Sequence, residues 1–231
     1  MLGVCLPSRG LVFSRTMQCV IEGMQALSSV GIASKYFTSH NLPIPQCHIF
    51  CVESALSNPA INKILIVEED MYADPDTFVA VATSDHPITV VNYNDRNGMS
   101  HGIMHIDENG KILWSGLGFI AIKREVFNGI GKPYFRIDHR YKNKKRHTVD
   151  GKSVTEFEEI EPRRKYNEKT LQFEEIKDPY IYGGLDVDFY TRAKSAGFEA
   201  ICLENYKASQ FELVSLGEKY NNNGCHTIKQ V

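Results

Sequence analysis

The feature that most constrains the fold is the short aliphatic run Ile64–Val67, which leads directly into the three acids Glu68-Glu69-Asp70. A short apolar run of this kind, preceded by the polar pair Asn62-Lys63, is typical of a buried strand in a parallel sheet. The three carboxylates then stand at the carboxyl end of that strand. Open α/β sheets bind their ligands at this edge, so the acids are candidate functional residues.

Three adjacent carboxylates repel one another, and a chain that keeps them together usually has a use for them. The simplest use is to bind a hard divalent cation together with phosphate groups. A solvated acidic turn is the alternative interpretation. The buried strand expected before the acids favours the metal site.

The first half of the chain alternates between strand and helix patterns. The Ser8-Arg9-Gly10 turn stands where the phosphate-binding loop of a nucleotide-binding sheet would lie, because neither GxGxxG nor GxxxxGK[ST] is present. The order β-α-β-α-β predicts the front half of a doubly wound sheet. The predicted elements before the central strand are strand Gly3–Pro7, helix Ser14–Leu27, strand Ile32–Phe37 and helix Gln46–Ser57.

The second half continues with short strands and one further helix. Glycines at 116 and 118 precede the predicted strand Phe119–Ile122, where they either allow close approach of a ligand or mark a bulge. Asp186 and Asp188 fall in the first turn of a helix predicted for Leu185–Ser195, where the helix dipole favours ionised carboxylates. The remaining predicted elements are helix Thr77–Thr83, strand Ile88–Tyr93, a hairpin of Ile103–Ile106 with Lys111–Trp114, and strand Phe198–Leu203.

The composition changes between residues 133 and 179. A basic run from Arg136 to Arg146 is interleaved with aromatic residues, and it reads either as a solvated loop or as a loop that faces a phosphate or an acceptor. The similar segments Thr155–Ile160 and Leu171–Ile176 predict a hairpin around Pro162–Lys169. We expect one domain over residues 1–231, with the 133–179 segment inserted as a flap.

Composition places the protein among ordinary globular chains. Its net charge is −2 over 231 residues, which does not indicate binding to nucleic acid or membranes across the whole surface. No apolar run reaches the length of a membrane span, and no secretory signal is recognisable. The six cysteines include no CxxC pair, so we expect reduced thiols and a cytoplasmic protein.

Three segments together resemble the GT-A fold glycosyltransferases, in particular the family 2 kind. The strand that ends in Glu68-Glu69-Asp70 resembles their acidic DxD-type motif, and Gly116–Phe127 resembles their glycine-rich strand and following helix. The segment Gly183–Phe189 resembles their G-E-D-x-D-F helix. The resemblance covers the chain outside the 133–179 insert. It implies a Rossmann-like mixed sheet flanked by helices, with an inserted β-hairpin or loop segment.

The resemblance implies transfer of a sugar, of the hexosyltransferase type, from a nucleotide-diphosphate sugar to an acceptor hydroxyl. Asp70, helped by Glu68, would hold Mn²⁺ or Mg²⁺ across the diphosphate and stabilise the departing group. Asp186 would be the general base of an inverting reaction, with Asp188 in support. The acceptor would be a glycan, a protein or a modified nucleic-acid base. The residues implied to bind substrate are Pro7, Ser8, Arg9, Glu68, Glu69, Gly116, Gly118, Gly183 and Gly184.

The sequence departs from the family pattern in three places. The acidic motif is Glu-Glu-Asp, Leu185 replaces the acid before Asp186, and Lys207–Gln210 lacks the histidine often found after the next strand. His226 would complete the metal site if the tail folds back.

Two alternative functions are open to such a chain. A nucleotidyltransferase would share the sheet and the metal, but its first loop is commonly rich in glycine and basic residues, whereas Pro7–Gly10 has one glycine and one arginine. A catalytically inactive nucleotide-sugar-binding module is favoured by the missing acid before Asp186.

Overall fold

The computed structural model describes residues 1–94, 104–107, 109–137, 139–149, 152–160, 164–167, 172–175, 181–215 and 226–230. Side chains are described for residues 1–92, 104–107, 109–137, 139–141, 158–160 and 184–211. The helices are α1 (Ser14–Ser29), α2 (Gln46–Leu56), α3 (Pro75–Thr83), α4 (Arg124–Ile130) and α5 (Leu185–Ser195).

The strands of the main sheet combine parallel and antiparallel neighbours. Its strands are β1 (Leu2–Leu6), β2 (Ser34–Thr38), β3 (Lys63–Val67), β4 (Met71–Ala73), β5 (Ile88–Asn94), β8 (Phe119–Lys123), β14 (Ala200–Ser215) and β15 (His226–Gln230). Their order is β15-β14-β5-β8-β3-β1-β2, and β4 pairs with β14 away from this path. β8 runs antiparallel to both β3 and β5, whereas β1 is parallel to β2 and β3.

Helices cover both faces of this sheet because the central strand is apolar on both sides. Ile64 and Ile66 of β3 pack into the core beneath α2, α4 and α5, and Leu65 and Val67 pack into the core beneath α1 and α3. This alternation is the period of two expected of a strand that is buried on both faces. The predicted Rossmann-like mixed sheet flanked by helices is confirmed.

The insert contains β-hairpins, but the predicted pairing within it was wrong. Strand β10 (Lys152–Ile160) pairs with β9 (Arg140–Val149), which contains most of the basic run interpreted as a loop. Strand β12 (Gln172–Glu175) pairs with β11 (Arg164–Asn167), in the segment predicted as a turn. The two similar acidic segments therefore each pair with a basic neighbour instead of with each other. In the β9–β10 pair, for example, Lys142 lies opposite Glu158.

The start of the insert packs into the main body, and its first strand pairs with the strand that follows the insert. Strand β13 (Ile181–Gly183) is antiparallel to β9, with Lys142 opposite Ile181 and Arg140 opposite Gly183. Phe135 is 1% exposed and belongs to the core beneath α2, α4 and α5. Tyr134, Phe135 and Tyr141, at the start of the predicted insert, therefore pack in the core of the domain.

The predicted hairpin after β5 is present as the antiparallel pair β6 (His105–Ile106) and β7 (Ile112–Trp114). The predicted strand Phe198–Leu203 begins at Ala200 and continues to Ser215, because it pairs in turn with β5, β4 and β15. Within the described residues, no helix is both long enough and apolar enough to cross a bilayer.

Candidate active site

The three acids form a tight turn between β3 and β4, and tertiary hydrogen bonds hold its backbone. The Glu68 amide donates to the Gly118 carbonyl at 2.8 Å, and the Met71 amide donates to the Glu68 carbonyl at 3.1 Å. The Phe211 amide donates to the Asp70 carbonyl at 2.7 Å. Gly118, which precedes β8, and Phe211 of β14 thus hold the main chain of the turn, and the three carboxylates have different partners.

Glu69 binds the turn that follows β1. The Arg9 backbone N–H donates to Glu69 Oε2 at 2.8 Å, and Arg9 Nε donates to Glu69 Oε1 at 2.6 Å. The hydrogen bond to Glu69 is the main cause that raises the pKa of Arg9, and the Asp70 and Glu68 charges add to it. Arg9 is half-exposed, so its guanidinium remains at the surface of the site.

Ser8 supports the same turn from the buried side. Its backbone N–H donates to Ser39 Oγ at 2.9 Å, and its own Oγ accepts a hydrogen bond from the Gly10 amide at 3.0 Å. Gly10 has φ +133°, a conformation that L side chains rarely adopt. The Ser8-Arg9-Gly10 turn is therefore held in place by the chain itself, and Arg9 is the residue that it presents to the acids.

Asp70 and Glu68 have partners that come from two other elements. Gln210 of β14 donates from Nε2 to Asp70 Oδ2 at 3.0 Å. His48 of α2 lies with Nε2 2.9 Å from Glu68 Oε1 and is 2% exposed. Sequence reasoning missed both residues. Gln210 was noted only as part of the 207–210 segment, which lacks the histidine often found there. No local sequence pattern distinguishes His48.

These residues surround a cavity at the carboxyl end of β1 and β3. The cavity measures about 100 Å³ and is lined by Pro7, Arg9, Ile44, Cys47, His48, Glu68, Glu69 and Asp70. A larger cavity of about 800 Å³ lies at the opposite edge of the sheet, beside Met1, Asn62 and Lys123, and its lining includes none of Arg9, Glu68, Glu69, Asp70, Asp186 and Asp188. The carboxyl-end rule and the grouping of charged side chains both favour the smaller cavity as the functional one.

Asp186 lies in the first turn of α5, where its charge interacts with that of Glu68. Burial and then the charge of Glu68 raise the pKa of Asp186 to about 6, and the His48 imidazole lowers it. The helix begins after Gly184, whose φ is +112°. A carboxyl group with a pKa near neutrality can accept or release a proton under physiological conditions, as a general base requires.

Asp188 has a different environment from that of Asp186. It is 0% exposed, and its carboxylate accepts hydrogen bonds from Arg136 Nε at 2.9 Å, the Tyr141 hydroxyl at 2.6 Å and Arg192 Nε at 3.0 Å. Burial alone would raise the pKa of Asp188, but these hydrogen bonds and cations lower it. The carboxylate is thus enclosed by structural partners. The mixture of basic and aromatic residues at 134–141 was the sequence signal for this network.

The other predicted site residues lie around these groups. Gly116 and Gly118 are buried between β7 and β8, and Gly118 contributes its carbonyl to the acidic turn. Gly183 pairs with Arg140, and Gly184 precedes α5. His226 is the first residue of β15, and its backbone pairs with that of Ser215 in β14. The His226 side chain lies outside the described side chains. Among the described side chains, no group of three His, Cys, Asp or Glu residues is arranged to hold a metal ion.

Comparison with known proteins gives similarity at the level of fold. No family model matches the chain, and no curated protein matches it. The structure is similar to that of A197 from STIV, with a TM-score of 0.51 and 16% identity over 91% of this chain and 85% of that chain. This likeness shows a shared fold.

Weaker similarity extends to two glycosyltransferase structures. One is a mutant Drosophila β-1,4-galactosyltransferase 7 in complex with manganese, UDP-Gal and xylobiose, with a TM-score of 0.44 and 12% identity over 88% of this chain and 65% of that chain. The other is a glycosyltransferase involved in the glycosylation of the major capsid of PBCV-1, with a TM-score of 0.33 and 11% identity over 55% of this chain and 62% of that chain.

Proposed function

We propose that this protein is a glycosyltransferase that moves a sugar from a nucleotide-diphosphate sugar to an acceptor hydroxyl. The observation that carries the proposal is the arrangement of Arg9, Glu68 and Asp70 around one cavity, with Asp186 electrostatically coupled to Glu68. Cation-binding acids beside a potential base are what such a transfer needs. The Rossmann-like fold supports the proposal without specifying the reaction.

The carboxylates suit a hard divalent cation such as Mn²⁺ or Mg²⁺. Magnesium is usually bound through one or two protein carboxylates, several waters and the substrate phosphates. Asp70, with Glu68 beside it, supplies such a set at the cavity, so a third protein ligand is not required. The cation would offset the negative charge of the departing nucleoside diphosphate.

Side chains of the protein would bind the donor phosphate and remove the proton from the acceptor. Arg9 is held by Glu69 with its guanidinium half-exposed at the cavity, where it would bind a phosphate oxygen of the donor. Asp186 would remove the proton from the attacking acceptor hydroxyl, and the reaction would invert the configuration at the sugar carbon. Among the described residues other than Gly184 and its two chain neighbours, no atom lies within 4 Å of the position that a Cβ would take at Gly184, so there is space for a ligand beside the backbone before Asp186. We propose that Gly116, Gly118 and Gly183 contribute to the same pocket.

A ligand screen tests the proposal. Nucleoside diphosphates and nucleotide sugars would be added with and without Mn²⁺ while the melting temperature is measured. A ligand at a hundredfold excess over its Kd stabilises the folded state by about 2.7 kcal/mol, which shifts melting by several degrees. We expect a metal-dependent shift with at least one nucleotide sugar. Release of nucleoside diphosphate on addition of acceptors then identifies transfer.

Three outcomes of the screen and of the activity assays would contradict the proposal. A protein that no nucleotide sugar stabilises in the presence of Mn²⁺ lacks the proposed donor site. Release of pyrophosphate from a nucleoside triphosphate and a sugar 1-phosphate would instead show a nucleotidyltransferase. Binding without any transfer or hydrolysis would indicate a nucleotide-sugar-binding module.

A further inference from the structure

His48 contacts the candidate site from α2 with both of its ring nitrogens. Nδ1 lies 3.3 Å from Cys47 Sγ, and Nε2 lies 2.9 Å from Glu68 Oε1. The ring also packs edge-to-face against Phe135, with centroids 5.6 Å apart. The imidazole is 2% exposed, so these contacts leave it a single orientation. Neither the acidic motif nor the resemblance assigns His48 a role.

The hydrogen bonds determine what His48 offers to Glu68. When the imidazole is neutral, the Cys47 thiol donates to Nδ1, and Nε2 then carries the proton. When the imidazole is protonated, both nitrogens donate. Nε2 therefore donates to Glu68 in either state. Burial opposes protonation of His48, but the hydrogen bonds to Cys47 and Glu68 outweigh it and raise the pKa of His48 to about 9.

Ligand binding by Glu68 would be more favourable if its side chain were fixed before the ligand arrives. Glu68 lies directly at the end of β3, lines the cavity and is only partly buried, with 27% of its side chain exposed. A glutamate that is free to move loses rotamer freedom when a ligand fixes it, and this loss opposes binding. A partner that fixes the carboxylate before the ligand arrives removes part of that cost.

We propose that His48 is a positioning residue, which holds the Glu68 carboxylate in the orientation that binds the nucleotide-sugar donor and its cation. The proposal rests on the proposed function and names a residue of the same site. Glu68 and His48 also both act on the charge of Asp186 in α5, so the pair is electrostatically coupled to the proposed base.

Two substitutions at His48 separate positioning from simple packing. His48→Gln keeps an N–H that reaches the place of Nε2, and His48→Leu fills the same space without a donor. The readouts are the Kd of a nucleoside diphosphate with Mn²⁺, the KM values for donor and acceptor, and the melting temperature. Removal of a group that orients a metal ligand typically costs about 10–100-fold in affinity or activity.

We expect His48→Leu to weaken donor binding by about tenfold, with an unchanged acceptor KM, and His48→Gln to restore most of the affinity. In a Glu68→Ala background, His48→Leu should cause no further loss, since the interaction it removes is already absent. If His48→Leu does not fold, His48→Asn replaces it, because its amide can approach Cys47 but is too short to reach Glu68.

The results distinguish this inference from the function on which it rests. Equal losses in the Gln and Leu variants, or an undiminished effect of His48→Leu without Glu68, would overturn the positioning role alone. Wild-type affinity in His48→Leu would do the same. A wild-type chain that binds no nucleoside diphosphate with Mn²⁺ would overturn the proposed function and the inference together.

Discussion

The Tyr141 hydroxyl donates a hydrogen bond of 2.6 Å to Asp188 Oδ1 and connects the first strand of the insert to the helix that carries Asp186. Arg136 donates to the same oxygen, and Arg192 donates to the other. Arg192 also donates to the Tyr134 carbonyl at 2.7 Å. The carboxylate of Asp188 is therefore the centre of a buried network that joins α5 to Tyr134, Arg136 and Tyr141.

Asp188→Asn should lower the free energy of unfolding by about 3–5 kcal/mol, because two guanidinium groups lose their buried carboxylate. Denaturant unfolding measures the change. Asp76→Asn is the matched control, since Asp76 is an exposed carboxylate in the first turn of α3 and should cost only about 0.3–1 kcal/mol. Equal small losses in both variants would show that Asp188 acts only through the helix dipole.

Asp186→Asn should reduce turnover by about a hundredfold to ten-thousandfold while the donor affinity remains. Since the pKa of Asp186 is about 6, the wild-type kcat should rise as pH increases through 6, where the base becomes ionised. Asp76→Asn should leave kcat unchanged. Full turnover in Asp186→Asn, or a pH profile that is flat between 5 and 7, would exclude Asp186 as the base.

The Asp186 carboxylate should lower the free energy of unfolding at neutral pH. Its pKa is raised from 3.8 to about 6 in the folded protein, so the folded state binds more protons than the unfolded state in that interval. The stability contributed by the protonated form is complete below pH 3.8 and is lost as pH rises through 6. At pH 7, Asp186→Asn should therefore unfold at a higher temperature, with a gain on the order of 1–3 kcal/mol. A lower melting temperature would contradict this.

Asp70→Asn should abolish the enhancement of nucleoside diphosphate binding by Mn²⁺, because an amide is a much weaker ligand for a hard cation. Titration calorimetry with and without Mn²⁺ measures the enhancement, and Glu68→Gln should weaken it less. Asp74→Asn changes a nearby exposed carboxylate that is hydrogen-bonded to Tyr72, and it should have no effect. Unchanged metal dependence in Asp70→Asn would remove Asp70 from the metal site.

Replacement of residues 143–180 by a short glycine-serine turn should preserve nucleoside diphosphate affinity and reduce transfer to the acceptor. Antiparallel pairing places Lys142 opposite Ile181, so a short turn can join the two strands. Replacement of 133–179 removes Phe135 and Tyr141 from the core and should prevent stable folding. Loss of nucleotide binding in the folded shorter deletion would contradict an acceptor-side role for the insert.

The local pattern of apolar and polar residues predicted the bounds of the helices that carry site residues. Helix α5 has the predicted bounds Leu185–Ser195, and α2 begins at the predicted Gln46. The insert was predicted less well, because segments 155–160 and 171–176 have the same alternation and nothing local selects their partners. Strand β4 was missed because three residues give too little periodicity to detect.

The sequence by itself determined that Ile64–Val67 forms a buried strand with Glu68, Glu69 and Asp70 at its end, because apolar content and chain order are local properties. Only the tertiary structure decided the partners of these acids: Glu68 with His48, Glu69 with Arg9, and Asp70 with Gln210. Those pairs join distant parts of the chain. They form because strand order and helix packing bring one edge of the sheet together, and no short window of sequence contains that information.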